Sequence, residues 1–308
     1  MPEQTPQRRT TVGIGFAVSA YVLWGFLPLY FAALAPAGAI EVVAWRVLLS
    51  LVFCAALLTL TRGWQALRVI TRDLRTMLIM GAAGVFILIN WLVYVFAALS
   101  GHVVEASLGY FANPIVTVLI GVIVLRERLR PLQWAAISIS ALAVAVLAVN
   151  YGQFPWIALT LAFSFGFYGF IKKQVGGRVD AISGLTIETA WLAPIAAGAV
   201  VVIALNGQLV MGTAGGAHTA LLVLAGGITA IPLLLFAAAA RRLPLVYLGL
   251  TQYLAPVIQF LIGVFVFLED MPLARWLGFA LVWVALVVLS VDMLRNGRAT
   301  RRAAVEPA

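Results

Sequence analysis

The sequence predicts an all-α polytopic membrane protein with ten transmembrane helices in two inverted five-helix repeats. Three observations predict it. The chain is 64% hydrophobic and 10% charged, with a mean hydropathy of +1.07 over 308 residues, whereas a soluble domain is roughly a quarter charged. Its basic residues gather between alternate apolar runs. A set of Pro, Gly, Glu and Trp positions recurs at a constant offset of 142.

Apolar runs punctuated by charge or by Gly and Pro lie at 12–34, 40–61, 77–99, 104–125, 132–150, 154–172, 182–205, 219–240, 244–268 and 274–294. About 20 apolar residues suffice to cross a bilayer as a helix. The first run is longer than a signal-peptide core and lacks a small-x-small exit, so it reads as a retained span. Short connections favour antiparallel neighbours. The expected layout is a cytoplasmic tail at 1–11, a first repeat at 12–150, a second at 151–294 and a cytoplasmic tail at 295–308.

Lys and Arg set the orientation. Arg8 and Arg9 precede the first span, and Arg62, Arg68, Arg72 and Arg75 join the second and third. Arg126, Arg128 and Arg130 follow the fourth, Lys172, Lys173 and Arg178 the sixth, and Arg241 and Arg242 the eighth. Arg295, Arg298, Arg301 and Arg302 follow the tenth, which leaves only Arg46 and Arg275 elsewhere. Both termini are therefore expected in the cytoplasm.

Net charge is +9. This surplus follows membrane topology, and no RNP, zinc-finger or basic-helix pattern points to nucleic acid. Walker A, HExxH and GxSxG motifs are absent from the sequence, as are paired intramembrane aspartates. We expect no enzyme activity, no cofactor and no metal. The single cysteine, Cys54, allows no disulfide within the chain and reads as a small apolar residue.

The repeat aligns NPIVTVLIGVIVLRERLRPLQW (113–134) with APVIQFLIGVFVFLEDMPLARW (255–276). Pro114 meets Pro256, Gly121 meets Gly263, Glu127 meets Glu269 and Trp134 meets Trp276. The same offset carries Gly84 onto Gly226, and an offset of 141 brings WGF (24–26) onto FGF (165–167). Five spans per half is an odd number, so the second half must enter the membrane inverted. That arrangement belongs to alternating-access transporters. Pro114 and Pro256 are expected near the midplane as matched kinks, or hinges.

Offset 142 also carries Arg46 onto Glu188, the charges that fall well inside spans. Mirrored depths place them roughly 6 Å to either side of the centre, so a direct salt bridge needs tilt or a water. Three readings stay open: a self-neutralising strut, a proton site at Glu188, or an anion-holding Arg46. Asn90, Trp91, Tyr94, Tyr110, Asn113, Trp191, Gln252 and Tyr253 are the further candidates for substrate binding or coupling. Amides at membrane depth need partners, and aromatic walls with polar tips suit organic molecules. Glu105, His102 and His218 fall at outer span ends, where solvated roles are expected. Ala135, Ala136, Ser138, Ala141 and Ala145 give the fifth span a small-residue face. A homodimer there stays an option.

AYVLWGFLPLYF (20–31), RVLLS (46–50), NWLVYVFA (90–97), EASLGYFANP (105–114), ALTLAFSFGFYG (158–169), IET (187–189) and QYLAP (252–256) resemble the RarD-like branch of the EamA family, in the drug/metabolite transporter superfamily. The resemblance implies a ten-span transporter of the bacterial inner membrane, assigned to efflux. Leu49 and Trp45 depart from residues common in that branch and flank Arg46. The expected function is thus a secondary transporter of small organic molecules, in the export direction, driven by protons or by the solute gradient. Its partners are then substrate, protons and membrane lipid. A signalling or scaffold protein, or a channel, is the alternative.

Overall fold

Hydrocarbon offers no partner for backbone N–H and C=O groups, so apolar segments of this length must bond internally as helices. The computed structural model describes residues 6–126, 129–150, 154–175, 178–240, 242–243, 248 and 251–303, and all regular structure there is helical. Glu127, Arg128, Arg241, the ends of both tails and most of 244–250 lie outside the described residues.

The helices are α1 (Pro6–Gly25), α2 (Leu27–Ala32), α3 (Ala39–Leu60), α4 (Trp64–Thr71), α5 (Leu74–Leu99) and α6 (Val103–Leu125). They continue as α7 (Pro131–Asn150), α8 (Trp156–Lys173), α9 (Ala181–Leu205), α10 (Gly216–Ala240), α11 (Leu254–Phe265) and α12 (Leu273–Ala303). Among the described residues seven spans are long and apolar enough to cross a membrane, where ten were expected: the α1–α2 stretch, α3, α5, α6, α9, α10 and α12. Apolar stretches at Pro131–Leu147 in α7 and Leu254–Phe265 in α11 are shorter. α8 has 18 residues, or about 27 Å of helix.

Local chemistry explains the boundaries. Asp73 caps α5, accepting from the Arg75 N–H at 3.1 Å and the Thr76 hydroxyl at 2.7 Å. The Thr76 hydroxyl is the main reason its carboxyl sits below the usual range. Asp180 caps α9 by accepting from the N–H groups of Ile182 and Ser183. Burial pushes its carboxyl up, but the bonds from Ser183 and the backbone outweigh that and hold it low.

Two elements differ from expectation because proline acts through its missing N–H. The first span breaks at Phe26, two residues before Pro28. Pro28 cannot bond the carbonyl of Trp24, and Gln259 of α11 donates to that oxygen instead at 3.1 Å. In the ninth span a turn at Gln252–Tyr253 precedes α11, so Pro256 lies in the first helical turn rather than mid-helix. Pro is tolerated there because first-turn N–H groups have no partner in the helix. Pro114 does lie inside α6.

At the centre α3 packs along α9. Around them α8 rests on α5 and α6, α10 on α1 and α3, α11 on α1 and α6, and α7 on α12. Gly84 of α5 faces Glu188 and Leu192 of α9, and Gly226 of α10 faces Leu49 and Ser50 of α3. A Cβ at Gly226 would lie 2.5 Å from the Leu49 carbonyl oxygen, so the α3–α10 approach requires glycine. Val52, Ile195, Val202, Leu205 and Val287 are exposed. Such a surface suits lipid rather than water.

The expected outer ends are stitched by carboxylates. Glu269 accepts from the Val103 and Val104 N–H groups at the start of α6, and Glu105 from those of Ile157 and Ala158 at the start of α8. Glu41 accepts from the Val210 and Met211 N–H groups. His218 is buried, with Nε2 2.8 Å from the Leu34 carbonyl oxygen. Glu105 and His218 were expected to be simply solvated; orphan helix-end groups recruit them instead. His102 stacks on Phe96, with Nδ1 3.0 Å from the Ser100 hydroxyl.

Candidate functional site: a buried arginine among aromatic rings

Arg46 enters the core from α3 and is 5% exposed. Its Nε donates to Thr229 Oγ1 of α10 at 2.8 Å, and that hydroxyl donates onward to the Ala225 carbonyl. The guanidinium carbon stands 4.3 Å from the Trp91 ring centroid and 5.5 Å from that of Phe31. Desolvated cation–π contacts of this kind contribute about 2 kcal/mol. The hydroxyls of Tyr110, Tyr30 and Tyr94 lie within electrostatic range. Nη1 of Arg46 and the Tyr94 hydroxyl are both buried without a hydrogen-bond partner.

α5 and α6 build the wall beside it. Tyr110 donates to Asn90 Oδ1 at 2.9 Å, and Asn90 Nδ2 donates to the Leu161 carbonyl and Ser164 Oγ of α8. Both ends of the Asn90 amide are thereby satisfied. The Tyr94 ring meets Tyr110 at 5.4 Å and Phe31 at 5.9 Å. Arg46, Asn90, Trp91, Tyr94 and Tyr110, all singled out in the sequence, therefore form one cluster.

Glu188 does not join it. Its Oε1 is 2.8 Å from Lys172 Nζ, an ion-pair contact with poor hydrogen-bond direction, and its Oε2 accepts from the Tyr168 hydroxyl at 3.3 Å. An Arg46–Glu188 pair is therefore absent among the described residues. Lys172, at the end of α8, reaches Glu188 along its four-carbon stem.

The other candidates scatter. Trp191 is 45% exposed and lies over Gly81 of α5, on the rim of the bundle. Tyr253 turns toward Ser290 of α12 and the Gln252 side chain. Asn113 lies beside Gly166 of α8 with Oδ1 buried and unpartnered. A cavity of about 130 Å³ opens between Arg75, Thr76, Ile79, Gln174, Val175 and Arg178, and a smaller one lies near Glu105 and Arg275. Neither is lined by Arg46 or the tyrosines around it.

Thr229, Phe31 and the pairing role of Lys172 escaped sequence reasoning because each is a tertiary neighbour without a local pattern. Gln259 had one readable signal. A proline at 28 orphans the carbonyl four residues earlier, so a donor had to come from elsewhere.

Residues 11–149 match the EamA-like transporter family. The chain is 46% identical to Protein RarD of Streptomyces exfoliatus over 295 residues, covering 96% of this chain and 92% of that one. It belongs to the RarD branch of the EamA family. An uncharacterized transporter of Vibrio cholerae is 39% identical over 302 residues, 98% of each chain. A crystal structure of a protein 21% identical matches 93% of this chain and 98% of its own with a TM-score of 0.58, a likeness of fold. The RarD-like chain is thus a multi-pass membrane transporter of the drug/metabolite type.

Proposed function

We propose that the protein is a secondary transporter that exports small organic molecules across the bacterial inner membrane by alternating access between two inverted five-helix halves. Reciprocal packing carries this reading. Gly84 rests on Glu188 and Leu192, while Gly226 rests on Leu49 and Ser50. Gly84 and Gly226 are 142 positions apart, and so are Ser50 and Leu192. The same exchange relates α8 on α5 to α1 on α10, and α6 on α8 to α11 on α1. A pseudo-two-fold axis in the membrane plane accounts for these correspondences.

Each half then rocks about the α3–α9 contact, with the helix at Pro114 and the Gln252–Tyr253 turn just before Pro256 as hinges and the Arg46 cluster as the substrate site. Both termini lie in the cytoplasm. Glu188 is the carboxylate placed to exchange a proton, since Lys172 competes with the proton for it. A homodimer would use Ala135, Ser138, Ala141 and Ala145, which α7 leaves exposed while Ala136 packs inward.

Counterflow in proteoliposomes tests the carrier. Pooled metabolites that accumulate when the gene is deleted should show saturable exchange, and flux that never saturates would sink the proposal. If Glu188 couples protons, Glu188→Gln abolishes dependence on a pH gradient and keeps exchange.

A further inference from the structure

Arg46 carries a full charge at 5% exposure without any described carboxylate in ion-pair range. An isolated buried charge is costly, and the usual remedy is a partner ion. The chain has committed its nearby carboxylates elsewhere. Glu41, on the same helix, is held by the Val210 and Met211 N–H groups, and Glu188, on the helix packed against it, is held by Lys172. Aromatic faces and the Thr229 hydroxyl satisfy Nε and the ring plane of the guanidinium, but Nη1 stays without an acceptor. The Tyr94 hydroxyl is a second buried donor in the same state, on the ring between Phe31 and Tyr110.

The geometry points to a monocarboxylate with a flat or apolar body as the class of substrate, its carboxylate taken by Arg46 Nη1 and the Tyr94 hydroxyl and its body admitted beside Trp91 and Phe31, which now pack on the guanidinium, when α3 and α10 separate. This rests on the carrier reading above and names what that site holds. One acceptor group satisfies two orphan donors and neutralises one cation. A dianion such as phosphate would leave a net negative charge among tyrosines and aromatic faces with no second described cation beside it. A cationic ligand would repel the guanidinium outright. Arginine is also weakly hydrated and presents a planar fork of donors, so it can hold a carboxylate where a lysine in the same place would bind less specifically. Release is built in, because the two halves that enclose the site supply different parts of it. Arg46, Trp91 and Tyr94 come from α3 and α5, whereas Thr229 comes from α10. Separating α3 from α10 removes the Nε partner and exposes the fork to water.

The test is binding to the full-length protein in detergent, followed by thermal unfolding and calorimetry. Benzoate, phenylacetate and cyclohexanecarboxylate are each compared with their own neutral amide, with benzylamine as the cation and inorganic phosphate as the dianion. At least one carboxylate should raise Tm and bind at millimolar concentration or below, while its amide, the amine and phosphate do not. Arg46→Gln should abolish that preference. Should Arg46→Gln fail to fold, Tyr94→Phe keeps the ring and should weaken the carboxylate by about ten-fold while the amide still does not bind. Absence of any carboxylate preference, equal binding of phosphate, or a Tyr94→Phe protein with unchanged affinity overturns the assignment. Saturable counterflow of an amine or amide without carboxylates leaves the carrier standing and removes the anion. Carboxylate binding without saturable flux does the reverse.

Discussion

Glu188 is 1% exposed at its side chain and Lys172 is 30% exposed, and this asymmetry decides what each substitution costs. Lys172→Met strands a carboxylate that cannot reach water, a loss of about 3 kcal/mol or more for a broken buried pair. Glu188→Gln leaves an ammonium that can extend along its stem toward solvent, at about 1 kcal/mol or less. Unfolding of the detergent-purified protein should therefore rank Lys172→Met well below Glu188→Gln, with the double variant close to Glu188→Gln alone. Equal losses in the two single variants would show that the pair carries no such asymmetry. At this scale the sequence identified Arg46 and Glu188 inside spans and left their pairing open, and the structure gives Glu188 to Lys172. Charge type and depth can be read along one helix, whereas the partner depends on which neighbouring stem is long enough to arrive.

Among elements, the broken first span shows how one helix completes another. The Trp24 carbonyl, released by Pro28, accepts from Gln259 on α11. Gln259→Leu should cost about 1–3 kcal/mol, because an orphaned carbonyl in the core loses its donor. Adding Pro28→Ala supplies a backbone N–H four residues on, so the double variant should recover part of the loss. Strictly additive losses in thermal denaturation would separate the two effects. The break itself was partly legible, since Pro28 and Gly25 were visible. The turn before Pro256 was not. Apolar periodicity alone continues a helix through any proline, and α4 likewise hid within what read as a basic loop.

For the whole molecule, orientation is the property most open to direct measurement. Cys54 is the sole cysteine and is buried, so single added cysteines report against a quiet background. Thr213 lies in the expected outer loop and Gln65 in the expected inner helix, and both are exposed. Thr213→Cys should react with an impermeant maleimide in intact cells, and Gln65→Cys only after lysis. The opposite pattern would invert the topology. The stitched span ends, expected on the outer side, with Glu41, Glu105 and Glu269 each bonding backbone N–H groups across the proposed halves, were not foreseen. A carboxylate at a span end looks solvated until the unbonded start of another helix is seen beside it.

Composition and the length of the apolar runs determined by themselves that this chain is a helical membrane protein, because hydrocarbon permits few backbones. They also placed Arg46, Asn90, Trp91, Tyr94 and Tyr110 on a common list. Only the tertiary structure decided that these five meet, that Trp191 and Tyr253 turn elsewhere, and that Glu188 answers to Lys172. Side chains at membrane depth choose partners by distance and desolvation across helices that are remote in sequence. No one-dimensional pattern records those contacts.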